Sequence, residues 1–333
     1  MKPRERFRCI LAFERPDDRL PMIEWAAWWD KTIDRWKGEG LPADYSREDA
    51  IAHFGLDRLD NIAAVPRGPD CPKPVSHGAG LIRDEAGYEA IHDCLFTEEL
   101  IETVKAKARA VKEQHDRGDL IVRLWLDGYF WFPRTIFGIE RHMYSFYDAP
   151  ELMHRMNSEL AAFNVRVVDE LFPILTPDMV GFAEDMSYNH GPMLSHELFS
   201  EFLTPYYRAV IPRIKEYDVP VLVDSDGDIT AMIPWLREAG IEGVYPLERQ
   251  AGVDIAYIRE HHPDFLMLGG YDKMVMSRGE DEMRGEFERI LPVMRSGGYI
   301  NSVDHQTPPG VSLENYRIYV GLLEEYCTRA VSG

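Results

Sequence analysis

Acids and histidines gather where short apolar runs end. Residues 20–23 stop at Glu24, 120–126 at Asp127, 179–183 at Glu184 and Asp185, and 220–223 at Asp224, with Asp226 two places on. Residues 243–247 stop at Glu248, 265–271 at Asp272 and Lys273, and 298–303 at Asp304 and His305. Carboxylates and imidazoles drawn together can move protons or hold a divalent cation. Glu184, Asp185, Glu248 and Lys273 are the candidates for acid–base roles. Asp224 and Asp226 stand at i and i+2, so on a strand they share a face. Plainer readings stay open beside these. An Asp before Gly227 suits a turn, Glu184–Asp185 can cap a helix, and Asp272–Lys273 can neutralise each other.

Further candidates would contact a ligand rather than react. Arg123, Trp125 and Asp127 alternate onto one strand face, where Arg123 can balance an acid in the interior. Trp25 and Trp28, with Tyr129, Trp131 and Phe132, read either as core or as an aromatic wall for an apolar or cationic ligand. Tyr188 and His190 follow the run at 179–184 and are placed to reach the same mouth.

Apolar runs of this length, separated by helical stretches, read as parallel strands buried on both faces. Polar residues at the carboxyl ends of such strands mark the mouth of a (β/α)8 barrel. The expectation is an α/β TIM barrel with N-terminal elaborations, one domain over 1–333. Eight strands are predicted, at 20–25, 56–65, 119–127, 179–184, 220–224, 243–247, 265–270 and 298–303. Residues 1–19 hold a short helix, and Ser46 starts another. The Gly- and Pro-rich stretch 66–96 reads as a cap or β excursion. A long helix follows Thr97 and ends near Gly118. The aromatic stretch 129–134 reads as a loop. Asp148 and Glu151 make a capping-box pair for a helix over 150–172, and a last helix covers 312–330.

Composition excludes some partners. The 333 residues carry 57 acids against 37 bases, a net charge of −20. That balance disfavours nucleic acid and an anionic membrane surface. No apolar stretch approaches a membrane span. Cys9, Cys71, Cys94 and Cys327 lie far apart with no Cys-x-x-Cys, and read as free thiols in a reducing cytoplasm.

One set of motifs points to a family. Glu184-Asp185, the run Leu194-Ser-His-Glu-Leu-Phe-Ser-Glu-Phe-Leu-Thr-Pro-Tyr-Tyr and Val221-Leu-Val-Asp-Ser-Asp-Gly-Asp-Ile carry it. So do Leu236-Arg-Glu-Ala-Gly, Pro246-Leu-Glu, Gly269-Gly-Tyr-Asp-Lys and Gly297-Gly-Tyr-Ile. Together they resemble the uroporphyrinogen decarboxylase superfamily, best over about 120–325. The resemblance implies a (β/α)8 barrel, a possible homodimer, and one of two chemistries. One branch decarboxylates a tetrapyrrole without a cofactor; the other comprises zinc methyltransferases that exchange methyl groups with a corrinoid.

The decarboxylase branch matches poorly. Its arginine-bearing stretch after the first strand is replaced here by Glu24-Trp-Ala-Ala-Trp-Trp, and its catalytic Asp falls near Ala64. An octacarboxylate needs cationic clamps, and a mouth lined with acids repels it. The methyltransferase branch matches in layout. Its zinc ligands, His-x-Cys and a late Cys, fall where this chain has Asp224, Asp226 and His305. Carboxylates in place of thiolates shift the preference from zinc toward Mn or Fe, with Zn still compatible. The resemblance thus implies a metal-dependent enzyme acting on a neutral or cationic small molecule. A corrinoid, if used, would arrive on a partner protein, since the chain lacks Asp-x-His-x-x-Gly. Two other classes stand beside it: a lyase that anchors a small acid on Lys273 and Arg123, and a non-catalytic ligand-binding barrel.

Overall fold

The apolar runs do form strands, trimmed by a residue or two. They are β1 (Leu59–Ala64), β2 (Ile121–Asp127), β3 (Met179–Ala183), β6 (Val221–Asp224), β7 (Gly243–Tyr245), β8 (Leu266–Tyr271) and β9 (Tyr299–Val303). A two-stranded antiparallel hairpin, β4 (Ser187–Tyr188) and β5 (Gly191–Pro192), interrupts the series. In the computed structural model, which describes residues 1–332, seven strands make one curled parallel sheet. Its order is β1-β2-β3-β6-β7-β8-β9. Every residue of β3, β8 and β9 is buried, as expected for strands covered on both faces. Each large aliphatic or aromatic side chain so buried contributes about 1.5–3 kcal/mol.

The predicted first strand is not one. Residues 20–25 run extended between the two edges of the sheet, but their backbone groups are taken by other partners. Pro21 has no N–H to give. Met22 exchanges bonds with Asp57, giving its N–H to Oδ2 at 3.0 Å and accepting the Asp57 N–H at 2.7 Å. The Ile23 carbonyl accepts from Ser302 Oγ at 2.8 Å. With side chains supplying two of these three bonds, no ladder to β9 or β1 forms, and the sheet has seven strands rather than eight.

Four other local expectations need correction. The stretch 129–134 is not all loop, because Trp131–Phe137 is a helix. Asp148 and Glu151 make no capping box; the helix Pro150–Leu171 starts at a proline whose missing N–H needs no cap. The excursion at 66–96 holds a helix, Glu85–Ile91, and no strand pairing beyond isolated bridges, one of them internal, Arg67 to Leu95. That bridge, with Gly68 N–H on the Cys94 carbonyl at 2.8 Å, folds the excursion onto itself. Cys71 and Cys94 therefore meet, Cα to Cα 5.3 Å, and form a disulfide; only Cys9 and Cys327 are free. The thiol argument for a reducing compartment falls with it. No described helix is long and apolar enough to cross a membrane.

Candidate functional site

At the carboxyl ends of the strands lies a cavity of about 340 Å³. β1 supplies Asn61, β2 supplies Arg123 and Trp125, and β6 ends in Asp224. Asp185, Asp226 and His305 follow β3, β6 and β9 directly, and Trp25 enters from the extended segment. A larger groove of about 680 Å³ opens at the amino ends of the strands. Its less exposed acids are already paired, Asp178 with Arg4 at 2.7 Å and Glu242 with Lys215 at 2.9 Å, and Glu5, Glu14 and Asp218 lie in solvent. The carboxyl-end cavity is the one with unpaired chemistry.

One wall of it is acidic. The Asp224 carboxylate accepts no hydrogen bond among the described residues and keeps part of its surface open. Burial pushes its pKa well up, Arg123 opposes the shift, and Asp226 and Asp185 add to it. Asp226 is pushed up to about 7, first by burial and then by the like charges of Glu248 and Asp185. Its Oδ2 lies 3.7 Å from His305 Nε2. Burial, with Lys273 nearby, lowers the His305 pKa, so the imidazole is neutral at pH 7 and has a lone pair to offer. Asp185 takes a left-handed backbone, φ 50°, and Arg134 pins both its carbonyl, at 2.8 Å, and its carboxylate, at 3.1 Å. Asp tolerates that conformation better than most residues. Gly227 closes the wall: at φ 85°, with a Cβ position 2.6 Å from Tyr188 Cα, no side chain would fit beneath the hairpin.

The other strand-end acids are spoken for. Glu184 is fully buried, and its carboxylate accepts the backbone N–H groups of Tyr129, Phe130 and Trp131 at 2.7, 2.7 and 3.0 Å. The Tyr207 hydroxyl gives it a fourth bond. Gly128 makes the room, since a Cβ there would stand 2.1 Å from the carboxyl carbon. Burial raises the Glu184 pKa to about 7 against these donors. Glu184 thus anchors the start of the Trp131–Phe137 helix, which carries Trp131 to the cavity and Arg134 to Asp185. Asp304 accepts from Arg249 N–H at 3.0 Å and from Lys273 Nζ at 3.2 Å, and burial holds its pKa up at about 6. Lys273 also donates to Gln250 at 2.7 Å and lies 3.9 Å from Glu248. Glu248 in turn accepts from Gly227 N–H at 3.0 Å. Asp272 does not pair with Lys273; it caps its own turn through Met274 N–H at 2.8 Å.

The opposite wall is cationic and aromatic. Arg123 is 1% exposed, gives Nε to Asn61 Oδ1 at 2.6 Å, and leaves Nη1 with no partner. Its guanidinium lies 4.9 Å from the ring centres of Trp125 and Tyr245 and 5.8 Å from Trp25. Trp25 stands edge-on to His305, 6.1 Å between ring centres, and so joins the two walls.

Of the remaining sequence candidates, Trp28 packs in the core on Trp36, Phe54 and Tyr316. Asp127 is buried and pushed up to about 6 by desolvation, with Arg67 offsetting in part, and does not border the cavity. Tyr188 and His190 are exposed on the β4–β5 hairpin, rings 5.7 Å apart. Trp131, one of the aromatic-wall candidates, borders the cavity, and so do Arg47 and Asn61, which were not singled out as site residues. Arg47 did leave a signal. It opens a helix right after its cap, Ser46, where the helix dipole disfavours a cation.

A hard divalent ion fits the donor chemistry of the acidic wall: two carboxylates without cationic partners beside a neutral imidazole. As the side chains stand, Asp224, Asp226 and His305 do not bring three ligand atoms within 4.8 Å of one another, so a shared ion requires one of them to turn. The described group that does converge is Glu98, Glu102 and Glu170, which is mostly exposed and engaged by Lys105 and Arg166.

The chain belongs to the uroporphyrinogen decarboxylase (URO-D) family, whose profile matches residues 134–326. Its fold is also that of a methyltransferase from Methanosarcina mazei, with a TM-score of 0.69 over 98% of this chain and 99% of that one. The two share 14% identity, which speaks to the fold and not to the reaction. An exo-β-1,4-mannosidase from Opitutaceae bacterium strain TAV5 superposes with a TM-score of 0.47 at 14% identity, over 95% of this chain and 61% of that one. No curated protein matches in sequence.

Proposed function

We propose that this chain is a methyltransferase-like enzyme in which a divalent metal on Asp224, Asp226 and His305 activates a small substrate. The observation that carries the reading is the unpaired acidity of that wall. Asp224 has no donor, Asp226 is pushed up to about 7 partly by like charges, and a neutral imidazole lies 3.7 Å away. A bound cation relieves that repulsion. As a Lewis acid it would lower the pKa of a substrate oxygen, nitrogen or sulfur. Asp185, fixed by Arg134, is the nearby carboxylate able to take the released proton, while Glu248 and Lys273 hold the Asp226–Gly227 turn in place. A methyl-carrying corrinoid, if the reaction uses one, would come on a partner protein. The cavity, near 340 Å³, is at the small end of ligand pockets and disfavours a tetrapyrrole with its many carboxylates.

The test is elemental analysis of protein purified without chelator or affinity tag, beside Asp226→Ala. Metal near one equivalent, lost in the variant, is expected. No metal in either protein after incubation with Zn²⁺, Mn²⁺ and Fe²⁺ overturns the reading. Arg123 favours a second reading, a carboxy-lyase for a small acid; release of CO₂ without methyl transfer would select it.

A further inference from the structure

Arginines are costly to bury unpaired, so proteins rarely do it without reason. Among the described residues Arg123 has no carboxylate within 4 Å, and its Nη1 has no hydrogen-bond partner at all. Arg47 borders the same cavity and also forms no ion pair. Arg47 keeps part of its surface in solvent; burial lowers its pKa, Asp60 and Glu24 oppose the shift, and repulsion from Arg123 adds to it. Two cations therefore face one space, and the carboxylates that act on them, Asp60 and Glu24 on Arg47 and Asp224 on Arg123, all stand beyond ion-pair distance. The aromatic faces around Arg123 compensate part of the charge, and the Tyr245 hydroxyl acts on the guanidinium, but Nη1 stays without a hydrogen-bond partner. Asn61 spends its carbonyl oxygen on Arg123 Nε, so its amide N–H₂ remains free to donate. Across the cavity stand Asp224 and Asp226, short of cations as this wall is short of anions.

We infer that Arg123, Arg47 and Asn61 form a subsite for a single carboxylate, and that the substrate is a small amphoteric acid with a cationic or metal-binding group at its other end. The planar guanidinium fork suits a carboxylate, and the Asn61 amide adds a third donor. Anchored there, the ligand spans toward Asp224, Asp226 and His305, and the cavity volume restricts it to a few carbons between its ends. This deepens the reading of the cavity as a substrate site, and narrows a neutral or cationic substrate to one with an anionic end. It does not require a resident metal.

The test uses the full chain treated with chelator, so that no acetate can score by binding an ion on the acidic wall. Acetate and acetamide, which differ in charge and little in shape, are compared by saturation-transfer-difference NMR. Acetate is expected to bind and acetamide to bind at least about tenfold more weakly, a difference of about 1.4 kcal/mol. Arg123→Gln should remove the preference. Arg47→Gln, on a surface helix where a folding defect is not expected, should weaken acetate severalfold. Glycine should bind more tightly than acetate, and Asp226→Asn should cancel that advantage. Equal binding of acetate and acetamide, no binding of either, or acetate binding untouched by both arginine variants overturns the subsite. Because the samples are metal-free, these outcomes are independent of whether the acidic wall holds an ion.

Discussion

Two sets of strand-end acids look alike in the sequence and behave differently in the fold. Glu184, Asp272 and Asp304 are supplied with donors: backbone N–H groups, Tyr207, Gln250 and Lys273 bond them. Asp224 and Asp226, on the neighbouring strand end, have almost none. Glu184 lines the cavity beside Asp224 and Asp226, while Asp272 and Asp304 lie outside its lining. A buried carboxylate with its acceptor sites filled is a structural tie, and one whose sites are empty holds its desolvation cost in reserve for a ligand. Position at a strand end does not separate the two classes. The supply of donors does, and that is a property of the loops that follow.

The difference is sharpest under mutation. Glu184→Ala removes the acceptor of two buried N–H groups, a third that is part-buried, and a buried hydroxyl in one step. Each orphaned donor costs about 1–3 kcal/mol, so a net loss of about 4 kcal/mol is expected in urea denaturation. A loss under about 1 kcal/mol would mean that water replaces the carboxylate and that Glu184 is not a tie.

Glu24 lies between the two classes. Tyr316 donates to its Oε1 at 2.8 Å while Oε2 has no partner. Burial raises its pKa from 4.5 to about 8, with Tyr316 and Arg47 opposing. The folded protein thus holds a proton that the unfolded chain has released across the interval from 4.5 to about 8. Stability must fall as pH rises through that window, by up to about 1.4 kcal/mol per pH unit, because the native state binds the extra proton. Glu24→Gln, which keeps an acceptor for Tyr316 and cannot ionise, should match the parent near pH 5 and exceed it at pH 8. Thermal melting across that range is the measurement. Parallel profiles for the two proteins would show that Glu24 is already solvated or paired when ionised.

Periodicity and strand ends showed seven of the eight predicted strands and much of the acidic wall, because both follow from local rules: apolar runs become buried parallel strands, and their ends share a mouth. The failures came from partners far away in sequence. Residues 20–25 have a strand's composition, yet Asp57 and Ser302 occupy the backbone groups that a ladder would use. Cys71 and Cys94 meet only because the excursion folds back through Gly68. Lys273 reads as a free cation or as a partner of Asp272, and Asp304, thirty-one positions away, is its actual partner. The cationic wall was half visible. Arg123 stood out on its strand, whereas Arg47 sits on a helix whose approach to the cavity no local pattern encodes.

The smallest effect tests the empty class directly. In chelated protein, Asp224→Asn swaps an undonated carboxylate for a neutral isostere and removes its repulsion with Asp226 and Asp185. Arg123 gives that carboxylate some support, and cavity water gives more, so the change should stabilise by only about 1 kcal/mol, within the range usual when a functional group is neutralised. The sign carries the argument. A gain in urea midpoint with unchanged slope, together with lost metal retention, places Asp224 opposite Glu184: kept at a cost to stability because a ligand needs it. A loss of stability would mean that Arg123 already neutralises Asp224 in the resting protein. The two walls would then be one internal ion pair, and neither could be waiting for a substrate.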